Sequence, residues 1–467
     1  LLFFSAKPAA TGVGFTEGST IMSNNAGLDR RSFLKGAGMT ALAGATGSSA
    51  PVLAEDDDGG GLFRTDPYDF DKIYNREGTN CSRWDTPARK YPNGEFKYGM
   101  GVATTDFQVA PCITEALAER CKHQAWGYMS SKDGLIEAVA NWNAERYNLE
   151  VDPATIELSA GVYPAVLAAL RTFSRPGSKV ALLSPAYPGF YFHCRHTYTI
   201  ANDSELIRKD GRYEIDWDDL ESKMTHDTQA MIVCNPHNPT GNVWTEEELL
   251  RIGQMCLDND VVVISDEIHS DYVRPGHEFV PFARLPNKAI VDNSISINSG
   301  SKTFNMAGMK NGWFHSTNPK ILERVKQNHF SSVSTLGCVA NEAAYRDGAE
   351  WVDRMLVYVD DNHKFLRDYV AKNMPTVGYN DAEGTYLTWL DFSKTMESIG
   401  AAEQAAEQGV DTEIFFQDWL VMNSGVYLNP GSTYGTGGPG NMRFNLGSSR
   451  KVVKEALDQL SEAVNKV

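Results

Sequence analysis

The chain has 467 residues, 42% of them apolar and 22% charged, too long for a mini-scaffold and too apolar for a disordered protein. Its 43 basic and 60 acidic residues give a net charge of -17, and a surface of that sign repels phosphate backbones, which argues against nucleic acid as a partner. Seven scattered cysteines without any Cys-x-x-Cys or Cys/His ligand spacing read as packing thiols, so no metal site is expected.

The first 61 residues are rich in Gly, Ala, Ser and Thr and hold only four basic residues, Lys7, Arg30, Arg31 and Lys35. Asp29-Arg30-Arg31-Ser32-Phe33-Leu34-Lys35 precedes a mildly apolar stretch that ends in Val52-Leu53-Ala54, with small residues where a signal peptidase cuts. This resembles a twin-arginine signal, the kind carried by proteins exported already folded, often because a cofactor is inserted first. A start at Met22 would place the arginines where such signals carry them, and cleavage after Ala54 would leave a flexible acidic tail beginning at Glu55. The expected location is periplasmic or extracellular, or cytoplasmic if the signal is unused. No run of about 18 apolar residues follows, so no membrane span is expected after signal cleavage.

Residues 55–105 lack strong periodicity and are expected to form an arm that wraps onto a smaller domain or a neighbouring subunit. From 106 to 345 helical patterns alternate with short apolar runs, which predicts βα units around a mostly parallel sheet. Val180-Ala181-Leu182-Leu183, Ala230-Met231-Ile232-Val233-Cys234, Val261-Val262-Val263-Ile264 and Ser294-Ile295-Ser296-Ile297 read as buried strands. Residues 346–467 change to long helices, a strand-like Gly384–Asp391 and a Gly-rich stretch from Asn429 to Gly440, a pattern that suits a smaller α+β domain.

Ligands of open α/β sheets bind beyond the carboxyl ends of the strands. Here those ends deliver Asn238 in Asn235-Pro236-His237-Asn238-Pro239-Thr240-Gly241, Asp266 in Ser265-Asp266-Glu267-Ile268-His269-Ser270-Asp271, and Lys302 in Ser299-Gly300-Ser301-Lys302-Thr303-Phe304-Asn305. An amine, a carboxylate and an amide in one crevice suit pyridoxal phosphate, because the amine forms the Schiff base and the carboxylate keeps the pyridine nitrogen protonated. Alone, each is an ordinary cap, turn or surface residue. Their order and spacing carry the reading.

Those motifs, followed by Arg443, resemble the fold-type I aminotransferase superfamily. More narrowly, Pro236–Gly241, Ser265–Asp271, Ser301–Asn305 and Gly384-Thr385-Tyr386-Leu387 resemble its MalY/PatB-like cystathionine β-lyase branch. The resemblance covers roughly residues 75 to 460 and implies a large domain with a mostly parallel seven-stranded sheet plus a smaller α+β C-terminal domain. It makes Lys302 the Schiff-base lysine and the base for the substrate Cα proton, and Asp266 the partner of the pyridinium nitrogen. Asn238 would hydrogen-bond the cofactor's phenolic oxygen and Tyr187 would stack on its ring. His269 would stand near the same oxygen, the alternative being an imidazole satisfied by backbone. Gly161, Val162 and Tyr163 resemble the phosphate-binding glycine turn at a helix N-terminus. Ser299 and Ser301 would add hydroxyl donors, Lys310 a charge, and Tyr128 a contact from the neighbouring subunit of an obligate homodimer. Arg443 would grip the substrate α-carboxylate with a bidentate fork.

Two positions depart from the branch. Gly101-Val102-Ala103-Thr104-Thr105-Asp106-Phe107 stands where it carries Trp-Val-Ala-Asp-Met-Asp-Phe, and Lys310 stands where aminotransferases often carry arginine and the lyases glutamine. The resemblance implies α,β-elimination from a cysteine conjugate or cystathionine, giving pyruvate, ammonia and a thiol. The same residues also serve an aminotransferase of amino acids, and more remotely a binding or regulatory protein without turnover.

Overall fold

Short apolar runs covered on both faces make the central strands. The computed structural model describes residues 68–209 and 211–467. Its main sheet is built from β1 (Glu157–Ser159), β2 (Lys179–Ser184), β3 (Ile200–Glu205), β4 (Thr228–Cys234), β5 (Val262–Asp266), β6 (Ser294–Asn298) and β7 (Gly312–His315). They lie in the order β1-β7-β6-β5-β4-β2-β3. β7 is antiparallel to both neighbours and the remaining pairs are parallel. All four runs expected as strands are present, as β2, β4, β5 and β6. The twin-arginine segment lies outside the described residues.

Side chains of β2 and β4 alternate between two cores, as a period of two requires. Val180, Leu182, Ala230 and Ile232 pack on one face, while Ala181, Leu183, Met231 and Val233 pack on the other. Helices α1 (Val162–Phe173) and α2 (Pro188–Thr197) close the first face. Helix α3 (Glu246–Asp258) closes the second, held at its start by a capping box in which the Thr245 hydroxyl and the Glu248 carboxylate each accept the other's backbone N–H. The chain leaves β2 toward β3 on one side while β4 lies on the other, so the strand order reverses beside β2 and leaves a crevice there.

A second, antiparallel sheet of order β8-β9-β11-β10 is formed by β8 (Gly378–Tyr379), β9 (Leu387–Asp391), β10 (Asn429–Pro430) and β11 (Asn441–Asn445). The short helix α4 (Gly300–Thr303) follows β6, and the 25-residue helix α5 (Ala349–Asn373) serves both cores. Its Trp351, Val352 and Met355 pack with the large-sheet residues Leu158 and Trp313, and its Leu366 and Val370 pack against the small sheet and helix α6 (Arg450–Val464). The arm reaches the smaller layer, where Tyr98–Gly99 pairs in parallel with Val426–Tyr427 and Met100 enters its core. All seven cysteines are free; five are buried as packing thiols would be, whereas Cys112 is half-buried and Cys121 is exposed and does not fit that reading. No helix among the described residues is long and apolar enough to cross a membrane.

Candidate active site

Strand ends β2, β4, β5 and β6, the start of α1 and the centre of β11 converge on a cavity of about 490 Å³. Asn238, Asp266, His269, Lys302, Tyr187 and Arg443 line it, as do Gly161, Val162, Tyr163, Ser301 and Lys310. Sequence positions as far apart as Gly161 and Arg443 thus meet in one place because the smaller sheet folds back over the carboxyl edge of the larger.

Lys302, on α4, is half-buried, and its Nζ donates to the Ala103 carbonyl at 2.7 Å. Burial, with Arg443 nearby, lowers the amine to about 8, and Asp266 opposes the shift. Asp266 ends β5 and is buried; desolvation raises its carboxyl to about 7 although the Ile268 amide donates to it at 3.2 Å. No ion pair among the described residues holds Asp266. A buried carboxylate in that state is stabilised by a cationic ligand group.

Arg443, in β11, is 3% exposed. Its Nη1 donates to Asn238 Oδ1 at 3.0 Å and its Nη2 to the Gly101 carbonyl at 2.8 Å, while the guanidinium lies over the Tyr434 ring at 5.4 Å. Its Nε is buried without a partner, leaving part of the fork to offer a carboxylate. His269 is buried with Nδ1 unpartnered, so it is not satisfied by backbone there. Burial and the neighbouring cations hold its pKa well below 6.5, which keeps it neutral.

At the other end of the cavity Gly161, with φ of 106°, turns the chain into α1. Only glycine adopts that conformation readily, and no side chain caps the first turn of the helix. Ser301, Lys310 and Asn311 face the same corner, and both amide atoms of the 2%-exposed Asn311 lack a partner.

Ser299 and Tyr128 do not line the cavity. The Ser299 hydroxyl donates to the Asn311 carbonyl at 2.6 Å and accepts the Ser301 amide at 3.1 Å, so it caps α4. Tyr128 is fully exposed on the surface of this chain. Unforeseen lining residues include Phe192, His193, Asn311, Asn429 and Tyr434. Asn311 adjoins Lys310 and could have been reached from it, whereas Phe192 and His193 look like ordinary residues of a half-buried helix. The altered wall has a local reason at Gly101, where a Cβ would stand 2.4 Å from Asn429 Oδ1.

An unpaired buried carboxylate, a half-buried amine of lowered pKa, an open helix N-terminus and the orphaned amide of Asn311 fit the pyridine, aldehyde and phosphate of pyridoxal phosphate. The model for aminotransferase class I and II matches residues 97–460. Cystathionine beta-lyase PatB of Bacillus subtilis is 34% identical over 403 residues, spanning 85% of this chain and all of PatB. Protein MalY of Escherichia coli is 30% identical over 407 residues, spanning 86% of this chain and all of MalY. The PLP-bound C-S lyase from Staphylococcus hominis superposes with a TM-score of 0.76 at 31% identity, covering 85% of this chain and 99% of that one. The chain therefore belongs to the class I and II aminotransferase family, of fold type I, in the branch that holds PatB and MalY.

Proposed function

We propose that this protein is a pyridoxal-phosphate-dependent carbon-sulfur β-lyase acting on S-substituted cysteines such as cystathionine. The observation that carries the reading is the convergence of Lys302, Asp266, Asn238 and Arg443 on one cavity in a chain that matches a cystathionine beta-lyase along that relative's whole length. The bound cofactor supplies an aldehyde for the substrate amine and a ring that accepts electrons.

The chain's own residues do the rest. Arg443 holds the α-carboxylate, and the Asn238 and Gly101 oxygens fix the direction of its fork. Asp266 keeps the ring nitrogen protonated from a site that water cannot reach. Lys302, freed as an amine, takes the Cα proton, the Cβ–S bond breaks with its electron pair on sulfur, and Lys302 returns the proton to the departing thiolate. Water then completes conversion of the three-carbon remainder to pyruvate and ammonia. Tyr187 walls the ring face, His269 contributes a neutral hydrogen-bonding edge, and Gly161, Val162, Tyr163, Ser301 and Lys310 bind the phosphate.

The reading extends to a homodimer in which Tyr128, exposed on its own chain, reaches the phosphate of the neighbouring subunit. A monomeric mass in solution, or unchanged cofactor affinity in Tyr128→Ala, would count against that. It extends also to export on the Arg30-Arg31 signal, which predicts that replacing both arginines by lysine retains the protein in the cytoplasm; unaltered fractionation would oppose it. For the activity itself, the cofactor-loaded protein should release a thiol from cystathionine or a simple S-substituted cysteine. Failure with both would overturn the assignment.

A further inference from the structure

The wall opposite the strand ends is the segment 99–106, whose main-chain oxygens are held by side chains from distant parts of the molecule. Arg83, 0% exposed, spans it. Its Nε donates to the Gly99 carbonyl at 2.5 Å and its Nη1 to the Thr104 carbonyl at 2.6 Å, with Gly447 O at 3.1 Å and the Asp106 carboxylate at 3.2 Å. Between these two anchored oxygens lie the two that matter for the chemistry. The Gly101 carbonyl receives Arg443 and the Ala103 carbonyl receives Lys302. The carboxylate grip and the proton-moving amine are thus referenced to one short stretch of backbone, and Arg83 braces both of its ends.

We propose that Arg83 is a positioning residue, which sets the location of the Lys302 amine relative to Arg443 by bracing the Gly101 and Ala103 carbonyls. The proposal rests on the roles given above to Lys302 and Arg443. The two cations depend on the brace unequally. Arg443 is also held by Asn238 and lies over Tyr434, whereas the hydrogen bond of the Lys302 amine is to the Ala103 carbonyl. That carbonyl has a second donor, the Tyr386 hydroxyl at 3.0 Å. Loosening the segment therefore displaces the amine more than the carboxylate grip, and displacement of about 1 Å can cost about a hundredfold in rate. Lysine cannot replace the planar fork, because a single ammonium does not reach both ends of the segment.

The test uses the cofactor-loaded full chain and L-alanine in D2O, which has no β-leaving group and so reads proton movement at Cα apart from elimination. Arg83→Lys should lower the rate of α-proton exchange about 10- to 100-fold, while Kd for L-alanine, read from the cofactor's absorbance change, moves less than about threefold. Tyr386→Phe should lower exchange by a smaller factor with Kd unchanged. Exchange at the unaltered rate in Arg83→Lys, or equal losses of exchange and affinity, would overturn the proposal. Should Arg83→Lys fail to hold cofactor, Tyr386→Phe decides alone, and exchange at the unaltered rate there overturns it. Absence of exchange by the unaltered protein would instead bring down the role of Lys302, and this proposal with it.

Discussion

The two walls of the cavity are built by different means. On one side Asp266, Asn238 and Lys302 sit at or just beyond strand ends, where the ladders of β4, β5 and β6 fix the backbone whatever the side chains do. On the other side the segment 99–106 has main-chain pairing only at its beginning, with Val426–Tyr427, and at a few single contacts such as Asp106 N to Gly447 O. Arg83, Arg76, Asn305, Asn445, Arg443 and Lys302 hold its carbonyls instead. Asp266 can be removed from the first wall without touching the second, whereas Lys302, through the Ala103 carbonyl, and Asn238, through Arg443, tie the two walls together. On the second, the side chains that do the chemistry are also part of what holds the wall.

Of the first-wall variants, loss of Lys302 should therefore have the largest effect, because it also frees the Ala103 carbonyl, and loss of Asp266 the cleanest. Lys302→Ala should lower turnover by about 10⁴-fold and abolish the absorbance of the lysine-bound cofactor; retained absorbance would break the assignment. Asp266→Ala should keep its cofactor, which is held mainly through the phosphate corner and Lys302, yet lose about 10²- to 10³-fold in turnover; normal turnover would remove Asp266 from the mechanism. On the second wall, Arg443→Ala deletes charge-assisted bonds worth about 1.5–3 kcal/mol, so affinity for α-carboxylates should fall about 10- to 100-fold in an inhibitor titration. Unchanged affinity would place the carboxylate elsewhere.

A smaller effect comes from proton binding. Lys302 is lowered to about 8 by burial and by Arg443, and only the neutral amine attacks an aldehyde. Raising the pH removes the proton, so capture of cofactor by the stripped protein should accelerate about tenfold between pH 7 and 9, with a midpoint near 8. A midpoint near the ordinary lysine value of 10.5 would show that the amine is not held in this pocket. Smallest of all, Thr245→Ala removes half of the capping box behind the sheet and should cost about 1 kcal/mol in denaturant unfolding with turnover unaltered.

Legibility in the sequence follows the same division. The strands β2, β4, β5 and β6 could be read because a doubly covered sheet demands short β-branched or aliphatic runs, and the residues just beyond them announce themselves by type and order. The carbonyls of Gly101 and Ala103 could not, since a main-chain oxygen leaves no mark in the sequence and its donors lie up to 342 positions away. Arg83 is hidden for the same reason: an arginine in an aperiodic arm looks like solvated charge until its carbonyl partners are known. Ser299 is ambiguous in sequence because a serine opening a helix serves equally well as a cap or as a phosphate donor; here its hydroxyl donates to the Asn311 carbonyl. Tyr128 shows a different limit, since its expected role belongs to an assembly rather than to one chain.

Central to the account is that Lys302 returns its proton to a departing sulfur rather than to the cofactor. The most direct test is to count pyruvate and thiol released per active site from L-cystathionine by the cofactor-loaded protein with no 2-oxoacid present. Equal amounts of the two, rising steadily far beyond one per site, are the predicted result; at most one turnover per site, with catalysis restored on adding a 2-oxoacid, would contradict it and make the protein an aminotransferase.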